Sequence, residues 1–214
     1  MPLSENVPSF LTEIAVRTVA EKILSEAKTL PEGALISAKE FLHLGSRAAV
    51  DQALRRLKER NELMSIDRGV YVRPVKTRFG TRAPSVEKVI ERFAATRAET
   101  VVAHGAAAAN SLGLTTQVPT KLVYLTSGRN RQLKLGAQVI EMRHAPQWML
   151  LPSHRAAGEA VRALEWIGER HAPEALTVLK QKLSPSTVDE LVALRPVLPT
   201  WMSKSISQTF LAHG

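Results

Sequence analysis

Apolar residues recur at helical spacing in some stretches of the chain and alternate in others, and these changes of period divide it into elements. From Thr12 to Lys28 the positions Ile14, Val16, Val19, Ile23 and Leu24 form a broad stripe. The spacing predicts a helix with Thr12 as N-cap and Pro31 and Gly33 as its stop. A second, short helix is expected over Ala38–Leu44, capped by Ser37, with Phe41 and Leu42 inward and Gly45 ending it. Ser46 then opens SRAAVDQALRRLKER, in which Val50, Ala53, Leu54 and Leu57 fall at i, i+3, i+4 and i+7. Opposite that stripe stand Ala48, Gln52, Arg55 and Glu59, flanked by Asp51 and Arg56. Two helices joined by a tight glycine turn, the second basic and serine-capped, predict a helix-turn-helix.

The period changes after Asn61. ELMSIDRGVYVRP holds two short β-prone runs, Leu63–Ile66 and Val70–Arg73, around Asp67-Arg68-Gly69. Gly69 suits the positive φ of a three-residue hairpin, and Pro74 ends the second run. The hairpin is expected to be a wing with Arg68 at its tip, beside phosphate or minor groove. RPVKTRFGTR follows without an acid and is read as a basic exit from the wing, with Lys76 and Arg78 as further phosphate contacts.

A helix restarts at Pro84-Ser85-Val86 with Val86, Val89, Ile90 and Phe93 on one face. A β-branched run at Thr100–Ala103, an alanine-rich helix from His104 to Leu112, and strands at Lys121–Thr126 and Ala137–Arg143 around the turn-rich SGRNRQLKLG predict a small α/β core. From Leu151 on the chain reads as helices around Arg155–His171, from Pro173, from Pro185 after Ser184, and from Thr200 as N-cap to Leu211. Met202, Ile206 and Phe210 share one face, and Trp148, Trp166 and Trp201 are expected to pack in or at the edge of the core. The fold class is α+β: an N-terminal winged helix-turn-helix over 1–78, then a mixed α/β domain with a helical C-terminal part over 79–214.

Charge narrows the partner. Twenty-nine Lys and Arg against twenty Asp and Glu give +9, which favours an anionic partner. Residues 46–82 alone hold ten cations and four acids, where the groove contact is predicted. A second concentration, Lys121, Arg129, Arg131 and Lys134, surrounds the turn-rich segment and suits phosphate or an acidic protein surface, or a hairpin tip kept soluble by charge. The absence of cysteine excludes disulfides, thiolate metal sites and cysteine nucleophiles. The first 29 residues carry Glu5, Glu13, Glu21 and Glu26, unlike a signal peptide, and the uncharged Thr100–Thr120 is interrupted by His104, Asn110, Gln117 and Pro119. A cytoplasmic location without membrane contact is expected. The six histidines lack metal-ligand spacing, and no phosphate-binding loop or nucleophile elbow is present, so the reading is non-enzymatic, with no catalytic residue, metal or cofactor. His104 and His144 are expected to be structural.

The order of elements resembles the AbiEi-type antitoxins of bacterial toxin–antitoxin and phage-defence systems. The resemblance rests on LMSIDRGVYVRP, the helix after it, and HGAAAANSLGLTTQVPT leading into Leu122–Thr126. It implies an N-terminal winged helix that represses its own operon and a C-terminal domain that counteracts a nucleotidyltransferase toxin, by direct contact or otherwise. Carried over, DNA contact falls on Ser46, Arg47, Gln52, Arg55, Arg56 and Arg68. Gln52 and Arg55 suit adenine and guanine edges, and Ser46, Arg47, Arg56, Arg68, Lys76 and Arg78 suit phosphate. The partners are then double-stranded DNA from its own promoter, the toxin, and a second protomer by dimerisation or cooperative half-site binding. Two alternatives share the N-terminal features: a plain winged-helix regulator whose C-terminal part dimerises or senses a ligand, and a nucleic-acid-processing enzyme. Ten dispersed acids in residues 84–214 argue against the enzyme.

Overall fold

The computed structural model describes residues 18–211, which form a mixed α+β structure dividing into two compact units at Val89–Ile90. Helix α1 spans Val19–Thr29. Its N-cap is Thr18, whose hydroxyl accepts from the Glu21 amide while the Glu21 carboxylate accepts from the Thr18 amide at 2.8 Å. The expected cap Thr12, with Ile14 and Val16, lies outside the described residues. Strand β1, Leu35–Ser37, follows, then a 3₁₀ helix over Ala38–Leu44 and helix α2, Arg47–Glu59. Phe41 is buried as predicted, but Leu42 is 46% exposed. A 3₁₀ turn repeats every three residues, so the face that buries Ala38 and Phe41 turns Leu42 outward.

Strands β2, Met64–Asp67, and β3, Val70–Val72, form an antiparallel hairpin, and Gly69 at its turn has φ +70°. The sheet order β1-β3-β2 makes β3 central, because β1 pairs along its other edge in register Ile36 with Tyr71. The three residues of β1 carry too little pattern to announce that pairing. Ile23, Ile36, Phe41, Val50, Leu54, Leu57 and Leu63 make the core of this unit.

The basic stretch after Pro74 is a second antiparallel hairpin, not an exit segment: β4, Val75–Thr77, pairs with β5, Gly80–Arg82. Helix α3, Val86–Arg97, buries Val86, Val89, Ile90 and Phe93, as their spacing predicts, and the division between the units falls within it. The border therefore lies later than residue 78, because the second hairpin and the start of α3 are tied back to Glu32.

In the second unit β6, Val101–Ala103, leads to helix α4, Gly105–Ser111, capped by the His104 ring, whose Nδ1 accepts from the Ala106 amide at 3.2 Å. Strands β7, Leu122–Thr126, β8, Arg131–Leu135, and β9, Gln138–His144, complete a four-stranded sheet of order β6-β7-β9-β8. β7 and β9 run parallel and the other pairs antiparallel. β8 occupies part of what the sequence presents as a loop, since Leu133 and Leu135 alternate with Gln132 and Lys134 and bury one face.

The helices α5, Gln147–Leu150, α6, Ala156–Ile167, α7, Ala172–Lys182, α8, Pro185–Ala193, and α9, Thr200–Phe210, follow. Ala160, Val161, Leu164, Leu176, Leu179, Leu191, Met202 and Ile206 form their common core. Ser184 caps α8, its hydroxyl accepting from the Thr187 amide, whereas Thr200 is the first helical residue behind Pro199 and caps nothing. Trp148 and Trp201 pack against the core, and Trp166 is 40% exposed at its edge.

Candidate nucleic-acid interface

Helix α2 presents the predicted residues because its two faces are opposite in character. Val50, Ala53, Leu54 and Leu57 are buried, so Gln52, Arg55, Arg56 and Glu59 on the other side are exposed. Ser46 starts the helix, its hydroxyl oxygen accepting from the Ala49 amide at 3.3 Å. That leaves its own proton to donate to an acceptor outside the chain. Arg47 donates to Asp51 one turn on, at 2.9 Å, through two exposed side chains. Such a pair is weak and yields readily to a phosphate. Among the described residues Gln52, Arg55, Arg56 and Arg68 make no side-chain hydrogen bond or ion pair. Arg68 stands exposed at the β2–β3 turn, which Asp67 fixes by accepting the Arg68 amide at 2.7 Å.

Lys76 lies 3.4 Å from the Glu62 carboxylate, and the Arg78 guanidinium sits over the Phe79 ring at 4.5 Å. The sequence assigns no role to Phe79 or Glu32 and presents Arg82 only as part of the basic run. Glu32 is the anchor of the second hairpin: it accepts from Lys88 Nζ at 2.5 Å, from the Ser85 amide at 3.0 Å and from Arg82 at 3.3 Å. The Lys88 hydrogen bond first, then the Ser85 amide and the two cationic charges, hold its carboxyl at about 2 against an ordinary 4.5. A folded-state pKa below the unfolded one contributes stability that is complete above 4.5 and disappears as pH falls toward 2. The melting temperature is therefore expected to drop across that window, and Glu32→Gln to flatten this part of the profile; an equally steep profile in the variant would contradict the assignment.

The second basic concentration is smaller than the sequence implies. Arg131 donates to Glu99 at 2.8 Å with both side chains largely buried, and its guanidinium lies 5.1 Å from the centre of the Phe93 ring. It is a structural cation, and Lys121, Arg129 and Lys134 alone remain exposed. Glu99 also accepts from the buried Thr126 hydroxyl at 2.9 Å, and Thr126 in turn accepts from the Gly128 amide, which braces the segment between β7 and β8. The His144 ring contacts the Gly128 carbonyl at 2.9 Å within the same bracing. His104 is pushed below its ordinary pKa by burial and then by the Arg143 charge, which keeps its ring neutral for the cap on α4. Both histidines are thus engaged within the fold. Among the described residues no group of three or more His, Asp or Glu is placed to hold a metal ion.

The ANSLGLTTQVP segment has a local structural role. Asn110 at the end of α4 donates through Nδ2 to the carbonyls of Thr115 and Gln117, at 3.3 and 3.1 Å, and so folds the following loop back on the helix. A family model spans residues 22–186, from α1 through the start of α8, and so includes both this segment and the α2 face. The chain belongs to DUF6088, a family of unknown function. It is also similar to the RV2827C protein from Mycobacterium tuberculosis, known from a crystal structure, with a TM-score of 0.51 and 15% identity over 92% of this chain and 78% of that one. At such identity the likeness concerns the fold alone. No curated protein matches. This DUF6088 member has no described helix long and apolar enough to cross a membrane.

Proposed function

We propose that the protein is a DNA-binding antitoxin that represses its own operon through an N-terminal winged helix and counteracts a nucleotidyltransferase toxin through its C-terminal part, without catalytic activity. The observation that carries the DNA half is the exposed face of α2, where Gln52, Arg55 and Arg56 have no intramolecular partner and a serine-capped helix start precedes them. Side chains of this kind at this spacing meet base edges, while Ser46, Arg47 and Arg68 meet phosphate. The antitoxin half rests on the resemblance of LMSIDRGVYVRP and ANSLGLTTQVP to AbiEi-type antitoxins.

Fluorescence anisotropy on duplex DNA from upstream of its own gene and on scrambled duplex, across a salt series, tests the DNA half. Specific binding at least about a hundredfold tighter than scrambled, with a steep salt slope, is expected. Lys76→Ala is expected to weaken both duplexes alike and lower the slope by about one. Equal, weak binding to both duplexes would overturn the reading. Co-expression with the product of the adjacent reading frame tests the other half: a frame toxic alone and harmless with this protein separates an antitoxin from a plain regulator.

A further inference from the structure

The hairpin after the first basic turn carries a feature that neither charge nor packing explains. Phe79, at its tip, is 84% exposed even with the Arg78 guanidinium against one face of its ring. The turn itself makes no demand for an aromatic. Thr77 pairs with Gly80, the positive φ of +118° falls on Gly80, and Arg78 and Phe79 occupy the two connecting positions, neither with a positive φ. Residues favoured in such turns are small and polar, and a ring kept in water gains nothing from folding.

The tip is also held rigidly. The Thr77 hydroxyl donates to the Gly80 carbonyl at 2.9 Å and accepts from the Phe79 amide at 3.2 Å, closing the turn from inside. At the base, Arg82 on β5 reaches Glu32, while the Lys76 pair with Glu62 is exposed and weak and yields readily to a phosphate. An aromatic side chain is thus displayed on a short braced support, flanked by cations, with no acid from Arg73 to Arg82.

We propose that this hairpin is a second DNA contact in which Phe79 inserts against or between bases of a duplex while Lys76 and Arg78 neutralise the flanking phosphates. The inference rests on the DNA-binding reading and adds a second mode of contact to it. Charge complementarity selects the occupant: a basic support suits a polyanion, nucleic acid alone among polyanions offers flat apolar faces for the ring between its phosphates, and the duplex DNA proposed for the α2 face is the nucleic acid that the neighbouring hairpin would meet. Reach is adequate as well. Ten residues lie between Arg68 and Phe79, so the two tips are at most about 36–40 Å apart and both fall within the span of about one duplex turn.

The test uses the full-length protein with Phe79→Ala, Phe79→Trp, Arg78→Ala and Arg55→Ala, on upstream and scrambled duplex. Stacking on an aromatic is tolerant of sequence, so Phe79→Ala is expected to weaken both duplexes about fivefold to a hundredfold with the salt slope unchanged. Arg78→Ala is expected to lower the slope, and Phe79→Trp to restore affinity. Permanganate reactivity of thymines, raised by the wild type where bases unstack, is expected to return to that of free DNA with Phe79→Ala. Unchanged circular dichroism and melting temperature are expected for each Phe79 variant, since the ring is exposed. Wild-type affinity and thymine reactivity in Phe79→Ala, alongside loss in Arg55→Ala, would overturn the insertion and leave the α2 reading standing. Loss of self-association by light scattering, or of binding to anionic vesicles, with DNA affinity intact would assign the ring to those partners and overturn the inference. Failure of the wild type to bind either duplex would overturn both readings.

Discussion

Arg55→Ala is expected to weaken binding to the upstream duplex by about 1–3 kcal/mol, roughly fivefold to more than a hundredfold, and to relax base preference at one position. The size follows from the chemistry of the guanidinium, which donates two parallel hydrogen bonds to the O6 and N7 acceptors of guanine. Arg55 lies on the opposite side of α2 from Leu54 and Leu57, and it has no partner among the described residues, so DNA binding does not first have to break an ion pair. Alanine is the best helix former, so the substitution leaves α2 intact and the measured loss belongs to the contact. The comparison that decides is specific against scrambled duplex. A loss confined to the specific duplex assigns Arg55 to a base, and equal loss on both would move it to the phosphates beside Arg47 and Arg56.

Gly105→Ala is expected to destabilise the second unit by about 1–3 kcal/mol or more. In an open helix the same change stabilises by up to about 1 kcal/mol, so the sign of the effect is itself the test. Gly105 is the first residue of α4, where that helix starts against α6. A Cβ there would run into the backbone carbonyl oxygen of Arg162 and come within 2.6 Å of the Trp166 Cβ. Neither atom is the free end of a flexible side chain, so the two helices must separate, and Ala108, Ala109 and Ala163 between them lose contact. Thermal melts followed by circular dichroism measure it. A higher melting temperature in the variant would mean that the approach of α4 to α6 is looser than the structure has it.

Where the sequence was legible, the signal was local. The stripe Val50, Ala53, Leu54 and Leu57 places the α2 core face and with it the exposed Gln52, Arg55 and Arg56, because 3.6 residues per turn leave no other assignment. Gly69 marks the first hairpin for an equally local reason, the positive φ of its turn. The second hairpin was less visible. VKTRFGTR contains the alternation and the glycine, but with four cations in the span Arg73–Arg82 it reads as a solvated segment. Its tie to the rest of the unit runs through Glu32, more than forty residues earlier in the chain.

Helix periods, the Ser46 and Ser184 caps, the glycine turn and the excess of positive charge around α2 were determined by the sequence itself, since each depends on residues within a turn or two of one another. Tertiary structure alone decided which strands pair, including β1 beside β3 and the parallel approach of β7 to β9. It also decided which cations are surface and which are interior. Arg131 faces Glu99, thirty-two residues away, and Arg162 is 2% exposed with its guanidinium donating to the carbonyls of Met149 and Ser153. Backbone carbonyls or a carboxylate outside the charged residue's own helical turn supply most of its hydrogen bonds there, although the Arg162 Nε has no partner among the described residues, and no local pattern carries that information.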